Sequence, residues 1–178
     1  MVIKAGCSCR INRVVLARRN ADIRKAQETL RTADAVFISG GDVEAGMRIL
    51  NEKNMAGFLR DLAKSGKQFF GASAGSIMMC KGWVRWRDPE DDTTAELFPC
   101  LNLVPVYCDT HAEKDDWTEL KTALSLDGAG TPGYGITSGA YMKVYPDGRL
   151  EAEVGPVARY RVVEGEIERQ ADLGARVP

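Results

Sequence analysis

The sequence Gly71-Ala72-Ser73-Ala74-Gly75, with an apolar run on each side, constrains the fold more than any other segment of the chain. Glycines two residues before and after a serine allow a sharp turn between a strand and a helix, and this turn exposes the hydroxyl. The helix that follows begins at the turn, so its unpaired N–H groups face whatever the hydroxyl attacks. The segment therefore predicts a strand–turn–helix unit in which Ser73 is a nucleophile.

One imidazole is available to act as the general base for this serine. The sequence contains a single histidine, His111, which follows the apolar stretch from Leu101 to Tyr107. We interpret this stretch as a strand, and the loops at strand ends are where open α/β sheets collect catalytic groups. A lone histidine is otherwise a surface or capping residue. An activated serine needs an adjacent base, however, and the lysines lie in no motif for that role, so we predict that His111 serves Ser73.

Composition limits the class of protein and its partners. The chain has 178 residues, 44% of them hydrophobic, with a net charge of −1, which predicts one domain over residues 1–178, with ends (1–10 and 166–178) free to fray. A basic stripe and a membrane-length apolar run are both missing, so neither nucleic acid nor a membrane is an expected partner. A homodimer is left open. The five cysteines lack metal-ligand spacing, so we expect reduced thiols, a cytoplasmic location, no metal and no other cofactor.

Strand and helix patterns alternate through about the first two-thirds of the chain, which predicts an α/β fold with three layers. We expect an open, mainly parallel sheet with helices on both faces, and an antiparallel hairpin near the C-terminus. Predicted helices cover residues 20–32, 43–50, 55–65, 74–80 and 116–124. Predicted strands cover residues 33–38, 68–70, 101–107, 133–144, 150–153 and 157–163, with a turn at Pro146-Asp147-Gly148, an irregular segment at 83–97 and a weak strand candidate at 11–17.

The segment Gly40-Gly41-Asp42 follows the first of the predicted parallel strands. An oxyanion hole usually takes one N–H from the residue after the nucleophile and one from a neighbouring strand-end loop. Ala74 would supply the first N–H, and Gly41 or Gly40 the second. The alternative is a plain glycine turn before a helix that Asp42 caps.

These segments resemble the dipeptidase E and cyanophycinase family of serine peptidases, whose fold is like that of class I glutamine amidotransferases (flavodoxin-like). The resemblance extends from about Ala33 to Val144. It rests on residues 33–42, on the Gly-x-Ser-Ala-Gly elbow at 71–75, on Asp109-Thr110-His111 and on the segment Gly135–Ala140. The resemblance implies that Ser73 is the nucleophile, His111 the general base, Gly41 with Ala74 the oxyanion hole, and a small peptide or amide the substrate.

The chain departs from this family where many members carry the glutamate that orients the histidine, because Ser138 stands at that position. Asp88 is one replacement, since some members place an aspartate fifteen residues after the nucleophile, although it also reads as part of a solvated acidic loop. Asp109 and Glu113 are closer to His111 in sequence. We expect the orienting acid to come from residues 83–97 or 108–116. The family's arginine-rich stretch, which resembles a clamp for an acidic substrate side chain, is also missing.

Other residues are candidates for substrate contact or packing. Trp83 and Trp86 either line a cleft or pack half-buried beside it. The candidate substrate-binding residues are Gly40, Asp42, Asp109, Glu113, Tyr134 and Ser138.

Three functions follow from these observations. The first is a serine hydrolase that cleaves a small peptide or amide. The second is a catalytically weakened relative that binds a small ligand or partner in the same cleft, as the change at Ser138 would allow. The third is an amidotransferase-like domain acting in a complex, a mechanism that usually needs a cysteine nucleophile.

Overall fold

The computed structural model describes residues 9–128 and 130–176, so most of the predicted N-terminal fraying lies outside the described residues. The α-helices within these ranges are α1 (Ile23–Thr32), α2 (Val43–Glu52), α3 (Met55–Lys64), α4 (Ala74–Met79) and α5 (Thr118–Asp127). The strands are β1 (Ala35–Ile38), β2 (Gln68–Gly71), β3 (Gly82–Trp86), β4 (Ala95–Pro99), β5 (Tyr107–Thr110), β6 (Gly133–Ile136), β7 (Tyr141–Val144), β8 (Leu150–Glu153), β9 (Val157–Val163), β10 (Glu166–Leu173) and β11 (Ala175–Arg176).

The helices form where the spacing of apolar residues predicts them, and two begin at an aspartate cap. The side chain of Asp22 accepts the N–H of Lys25 at 2.9 Å at the start of α1, and Asp42 accepts the N–H of Ala45 at 2.7 Å at the start of α2. Such caps satisfy N–H groups that the first helical turn leaves unpaired. The apolar faces of α2, α3 and α4 pack into one core with Met47, Met55 and Ile77.

The sheet arrangement corrects the prediction of a single open, mainly parallel sheet in three layers. In the described residues the architecture is mixed α/β, and the strands form separate sheets in the orders β1-β2, β3-β4, β10-β9-β6-β5 and β11-β8-β7. The pairs β1-β2 and β5-β6 are parallel, as expected, but each is only four residues long. Helix α4 packs on both β2 and β5, so these two parallel pairs are joined through a helix and share no hydrogen-bond ladder; the short strand β11 also pairs parallel, with β8.

One face of the β1-β2 pair is open within the described residues, so the expected helices on both faces are not seen there. Phe37 and Phe70 lie opposite each other in the register of the two strands and are 45% and 54% exposed. Val36 is buried on the other face, because successive side chains of a strand point to opposite sides.

The segment 101–106 is irregular, which corrects the predicted strand; β5 begins only at Tyr107. Leu101 and Val106 of this segment are buried, but its N–H groups donate to carbonyl oxygens at the end of α4, which that helix leaves unpaired. The bonds run from Leu101 to Met78 at 2.9 Å, from Asn102 to Cys80 at 2.8 Å and from Leu103 to Met79 at 2.8 Å.

Other expectations also change. The segment 83–97, predicted irregular, contributes to the hairpin β3-β4. The predicted strand 133–144 divides into β6 and β7 around a turn. Residues 11–17 form no strand, and the tail expected to fray forms β10, which pairs antiparallel with β9. The predicted antiparallel hairpin near the C-terminus is confirmed, because β7 and β8 pair antiparallel around the predicted turn at Pro146-Asp147-Gly148. The strands β9 and β10 form a second antiparallel hairpin.

The cysteines are not all reduced, which corrects a further expectation. Cys80, Cys100 and Cys108 are free and buried, whereas Cys9 is disulfide-bonded. Burial raises the pKa of the Cys100 thiol to about 12, so that thiol stays protonated at neutral pH. None of the helices in the described part of the chain is long and apolar enough to cross a membrane.

Candidate active site

Ser73 occupies the turn between β2 and α4 in a conformation that is rare for a residue with a side chain. Its φ is 53° and its ψ is −130°, and such strain persists only where the surroundings enforce it. The flanking glycines explain how. A Cβ on Gly75 would lie 2.1 Å from the carbonyl oxygen of Ile38, and one on Gly71 would lie 2.7 Å from the backbone of Ser76. The turn therefore packs too tightly for any other residue at those two positions.

His111 follows the end of β5, and its backbone N–H donates to the carbonyl oxygen of Ile136 at 2.9 Å. This bond fixes the residue to the neighbouring strand β6. Its side chain reaches Ser73, with 2.8 Å between His111 Nε2 and Ser73 Oγ. The structure thus brings together the two residues that the sequence proposes as nucleophile and base, although they come from the ends of strands in different sheets.

The proposed oxyanion donors lie at the same edge. In the described residues, neither Gly41 nor Ala74 donates its backbone N–H to a protein group. Gly41 has a φ of +147° and open space where a Cβ would be. A Cβ on Gly40 would lie 3.0 Å from Ser73 Cβ, so Gly40 allows the close approach of its loop to the serine turn.

These residues border a cleft of about 510 Å³. Trp83 and Trp86 line it and are also partly buried against the core, so both roles considered for them are seen. Trp83 Nε1 donates to Glu119 Oε2 at 2.8 Å. The residues that line the cleft are Gly41, Asp42, Val43, Ser73, Ala74, Ile77, Trp83, Trp86, Asp109, Thr110, His111, Ala112, Asp115, Thr118 and Glu119. A second hollow, of about 430 Å³, lies before β1 and β2 and contains none of the predicted site residues.

Asp109 is a buried acid in the cleft wall, only 4% exposed. Its Oδ1 accepts the N–H of Thr110 at 2.7 Å, whereas its Oδ2 has no hydrogen-bond partner. Burial raises the pKa of Asp109 to about 6, although the bond from Thr110 and the nearby His111 act in the opposite direction. The carboxylate is therefore ionised at neutral pH in a place that disfavours the charge.

Glu113 lies beside the position where the resembling family carries its glutamate. Its Oε1 accepts the backbone N–H of Ser138 at 3.2 Å. Hydrogen bonding with Ser138 and the proximity of His111 lower the pKa of this exposed carboxyl. Neither Glu113 nor Ser138 is among the residues that line the cleft.

The other predicted residues occupy plainer positions. Asp88 is exposed in the turn between β3 and β4, where its carboxylate accepts the N–H of Glu90 at 3.1 Å, and it does not line the cleft. Tyr134 is 3% exposed inside the core, where burial raises its pKa. Asp42 borders the cleft and also caps α2, so the predicted cap is confirmed, whereas the oxyanion role of Gly41 or Gly40 stays a prediction.

Sequence reasoning missed two acids of the cleft, Asp115 and Glu119, which lie just before α5 and within its first turns. The spacing of these two acids carries no signal, because they do not share one helix: Asp115 ends a short 3-10 turn, and Asp116 and Trp117 have positive φ values of 50° and 59° before α5 begins. Only the packing of α5 on β3 and β5 places them at the site.

A serine hydroxyl hydrogen-bonded to an imidazole at a strand–helix turn, with free N–H groups beside it, is the arrangement of serine hydrolases. The sequence model of peptidase family S51, a family of serine peptidases, matches residues 4–149. The chain belongs to this family. The resemblance inferred from the motifs is therefore confirmed.

Two other proteins are similar to the chain. It is 27% identical over 112 residues to a pyridoxal 5'-phosphate synthase subunit PdxT from Pasteurella multocida (strain Pm70), a match that covers 63% of this chain and 53% of that protein. The chain thus spans about half the length of this curated relative. A crystal structure of a candidate peptidase E protein from Listeria monocytogenes EGD-e aligns with a TM-score of 0.48 at 15% identity, covering 83% of this chain and 64% of the other.

Proposed function

We propose that the protein cleaves a small peptide or amide through an acyl-enzyme on Ser73, with His111 as general base. The observation that carries this proposal is the 2.8 Å hydrogen bond between Ser73 Oγ and His111 Nε2. In the first step, Nε2 takes the hydroxyl proton while Oγ attacks the scissile carbonyl carbon. Collapse of the tetrahedral intermediate breaks the C–N bond, and the imidazolium gives its proton to the leaving amine.

The second half of the reaction reverses these roles with water. His111 takes a proton from a water molecule, which attacks the ester carbonyl, and the returned proton restores the Ser73 hydroxyl. The N–H groups of Gly41 and Ala74 stabilise the oxyanion in both halves. Because they donate to no group of the described residues, they need not break a bond when the charge develops, and such preorganised donors stabilise a transition state strongly.

Glu113 is our candidate for the acid that orients His111 through Nδ1, the nitrogen that does not face Ser73. No carboxylate of the described residues is hydrogen-bonded to Nδ1, but the charges of Glu113 and Asp109 both interact with the imidazole. Glu113 is the better anion because its pKa is lowered, while that of Asp109 is raised. Its bond to Ser138 also holds a carboxylate beside the residue that replaces the family's glutamate.

The amidotransferase-like alternative has less support from the residues of the site. Among the cysteines in the described ranges none lines the cleft, and burial raises the pKa of Cys100 while contact with Cys80, together with burial, raises that of Cys108. A thiol nucleophile needs access and a lowered pKa, so these cysteines are poor candidates.

The test is covalent labelling by a fluorophosphonate, which reacts with an activated serine, read by intact mass and by peptide mapping. We expect one adduct on Ser73, and no adduct in Ser73→Ala or His111→Ala. Ser76→Ala is the matched control, because Ser76 lies one helical turn along α4 and does not line the cleft; it should label normally.

A folded wild-type protein that resists labelling, or a Ser73→Ala variant that still labels, would show the proposal to be wrong. Labelling at Ser73 without turnover of any dipeptide would favour the catalytically weakened relative instead.

A further inference from the structure

The cleft beside Ser73 is strongly acidic. Four carboxylates line it, those of Asp42, Asp109, Asp115 and Glu119, and within the described residues its lining includes no lysine or arginine. His111 is the one basic side chain in the lining, and the proposed mechanism needs it neutral to accept a proton. A charge-selective cleft of this kind attracts ligands of the opposite sign and repels those of its own.

These carboxylates form no salt bridge within the part of the chain that the structure describes. The ion pairs of the described residues all lie elsewhere, and none includes any of the four acids. Asp42 and Glu119 do accept hydrogen bonds, from the N–H of Ala45 and from Trp83 Nε1. Both donors are neutral, so they satisfy oxygen lone pairs without neutralising the charge.

A second observation concerns an acid of the cleft wall itself. Asp109 is only 4% exposed, and its buried Oδ2 has no hydrogen-bond partner. Buried polar groups are normally paired, and an unpaired buried charge is costly unless something compensates for it. A positive charge in the cleft would supply that compensation.

From these features we infer that the cleft binds an ammonium or guanidinium group of the substrate, so that the peptide or amide cleaved at Ser73 is cationic. The cleavage step in this inference rests on the proposed function. Asp109, Asp115 and Glu119 provide the negative potential, and Trp83 and Trp86 provide aromatic faces on which a cation is stabilised. A substrate with an acidic side chain is disfavoured by the same charges.

The volume of the cleft, about 510 Å³, suits a small molecule such as a dipeptide or an aminoacyl amide. The positive group has two sources in such a ligand, the α-amino group and the side chain. Because the cleft would recognise a positive charge from either source in the same way, the test includes substrates that carry only one of the two groups.

The kinetic test uses aminoacyl coumarin amides that share one leaving group. Lysyl, norleucyl and glutamyl amides, each with a free or an acetylated α-amino group, vary the charge at nearly constant size. We expect kcat/KM to be at least about tenfold higher for compounds with a positive charge than for acetyl-norleucyl amide, and lowest for acetyl-glutamyl amide. Acetyl-lysyl and free norleucyl amides show whether the side chain or the α-amino group is recognised.

Variants connect this preference to the acids. Glu119→Gln keeps an oxygen for Trp83 Nε1 but removes the charge, and with Asp115→Asn it should reduce the ratio of cationic to neutral kcat/KM severalfold. Asp109→Asn should also reduce this ratio. The matched control is Asp116→Asn, an exposed neighbour that pairs with Lys121 at 2.7 Å and does not line the cleft; it should leave the ratio unchanged.

A binding measurement separates failure of this inference from failure of the proposed function. In Ser73→Ala, calorimetry should show a higher affinity for lysinamide than for hexanamide, whether or not the wild type is an enzyme.

Fluorophosphonate labelling at Ser73 combined with equal or better use of the uncharged substrate would overturn the inference alone. Lysinamide binding without any labelling would overturn the proposed function and keep the acidic subsite. An equal fall of kcat for all substrates in Asp109→Asn, with the ratio unchanged, would assign Asp109 to the orientation of His111 instead.

Discussion

Glu113, which comes two residues after His111 in the chain, accepts the backbone N–H of Ser138 at 3.2 Å. This contact brings a carboxylate next to the residue that stands where the resembling peptidases have their orienting glutamate. A side chain two positions after the histidine thus approaches the place from which that acid usually acts. We propose that this neighbouring acid takes over the role that the change at Ser138 removes.

We expect Glu113→Gln to lower kcat by roughly 10- to 1000-fold, because an orienting carboxylate holds the imidazole and stabilises its protonated form. Steady-state kinetics measure this loss. Asp88→Asn is the control, and a loss there as large as in Glu113→Gln would assign the role to Asp88.

The loop proposed to supply the second oxyanion donor can be tested at Gly41, whose φ of +147° disfavours any other residue. Gly41→Ala should turn its N–H away and lower kcat by about 100-fold, the usual cost of one lost oxyanion donor. Gly148→Ala imposes a similar strain, at φ +82°, in the β7-β8 turn and should leave kcat unchanged. Unequal effects on kcat at similar thermal stability would support the role of Gly41, and equal effects would argue against it.

The tight packing of the serine turn predicts a large effect on stability at Gly75. A Cβ there would lie 2.1 Å from the carbonyl oxygen of Ile38, so Gly75→Ala should lower the free energy of unfolding by about 1–3 kcal/mol or prevent folding. Gly57→Ala, inside α3 with open space around it, should raise it by up to about 1 kcal/mol because alanine favours a helix. Urea denaturation compares the two, and similar losses in both variants would contradict this account of the turn.

Asp109 should make the protein less stable as the pH rises. Its pKa is about 6 in the folded protein, raised from 3.8 mainly by burial. The folded state therefore holds this proton more tightly than the unfolded state, and stability falls as the pH rises from about 4 to 6. Asp109→Asn should raise the free energy of unfolding by on the order of 1 to 3 kcal/mol at pH 8 and change it little at pH 3.5. Urea denaturation at the two pH values measures the difference.

A stabilising effect of Asp109→Asn at pH 8, together with a reduced preference for cationic substrates, would show that this acid is kept at a cost to stability. A loss of stability at pH 8 would instead mean that the Asp109 charge is already compensated in the protein.

The local units of this molecule follow directly from its sequence. The Gly-x-Ser-x-Gly segment specifies the turn at Ser73 because only glycine fits beside Ile38 and Ser76, and Asp22 and Asp42 mark helix starts because their side chains satisfy unpaired N–H groups. The single histidine and the family resemblance then identify a candidate pair of catalytic residues. These features depend on neighbours in the chain, so a pattern of residues is enough to reveal them.

The arrangement of these units depends on long-range packing and is seen only in the tertiary structure. The apolar segment 101–106 has the composition of a strand, yet its N–H groups pair with the end of α4, a choice that depends on residues more than twenty positions away. The parallel pairs β1-β2 and β5-β6 are joined through α4, and the packing of α5 brings Asp115 and Glu119 to the cleft. Because the charge of the cleft comes from Asp42 and from three acids in residues 109–119 that the fold must turn toward the same space, its sign appears only when packing brings these residues together.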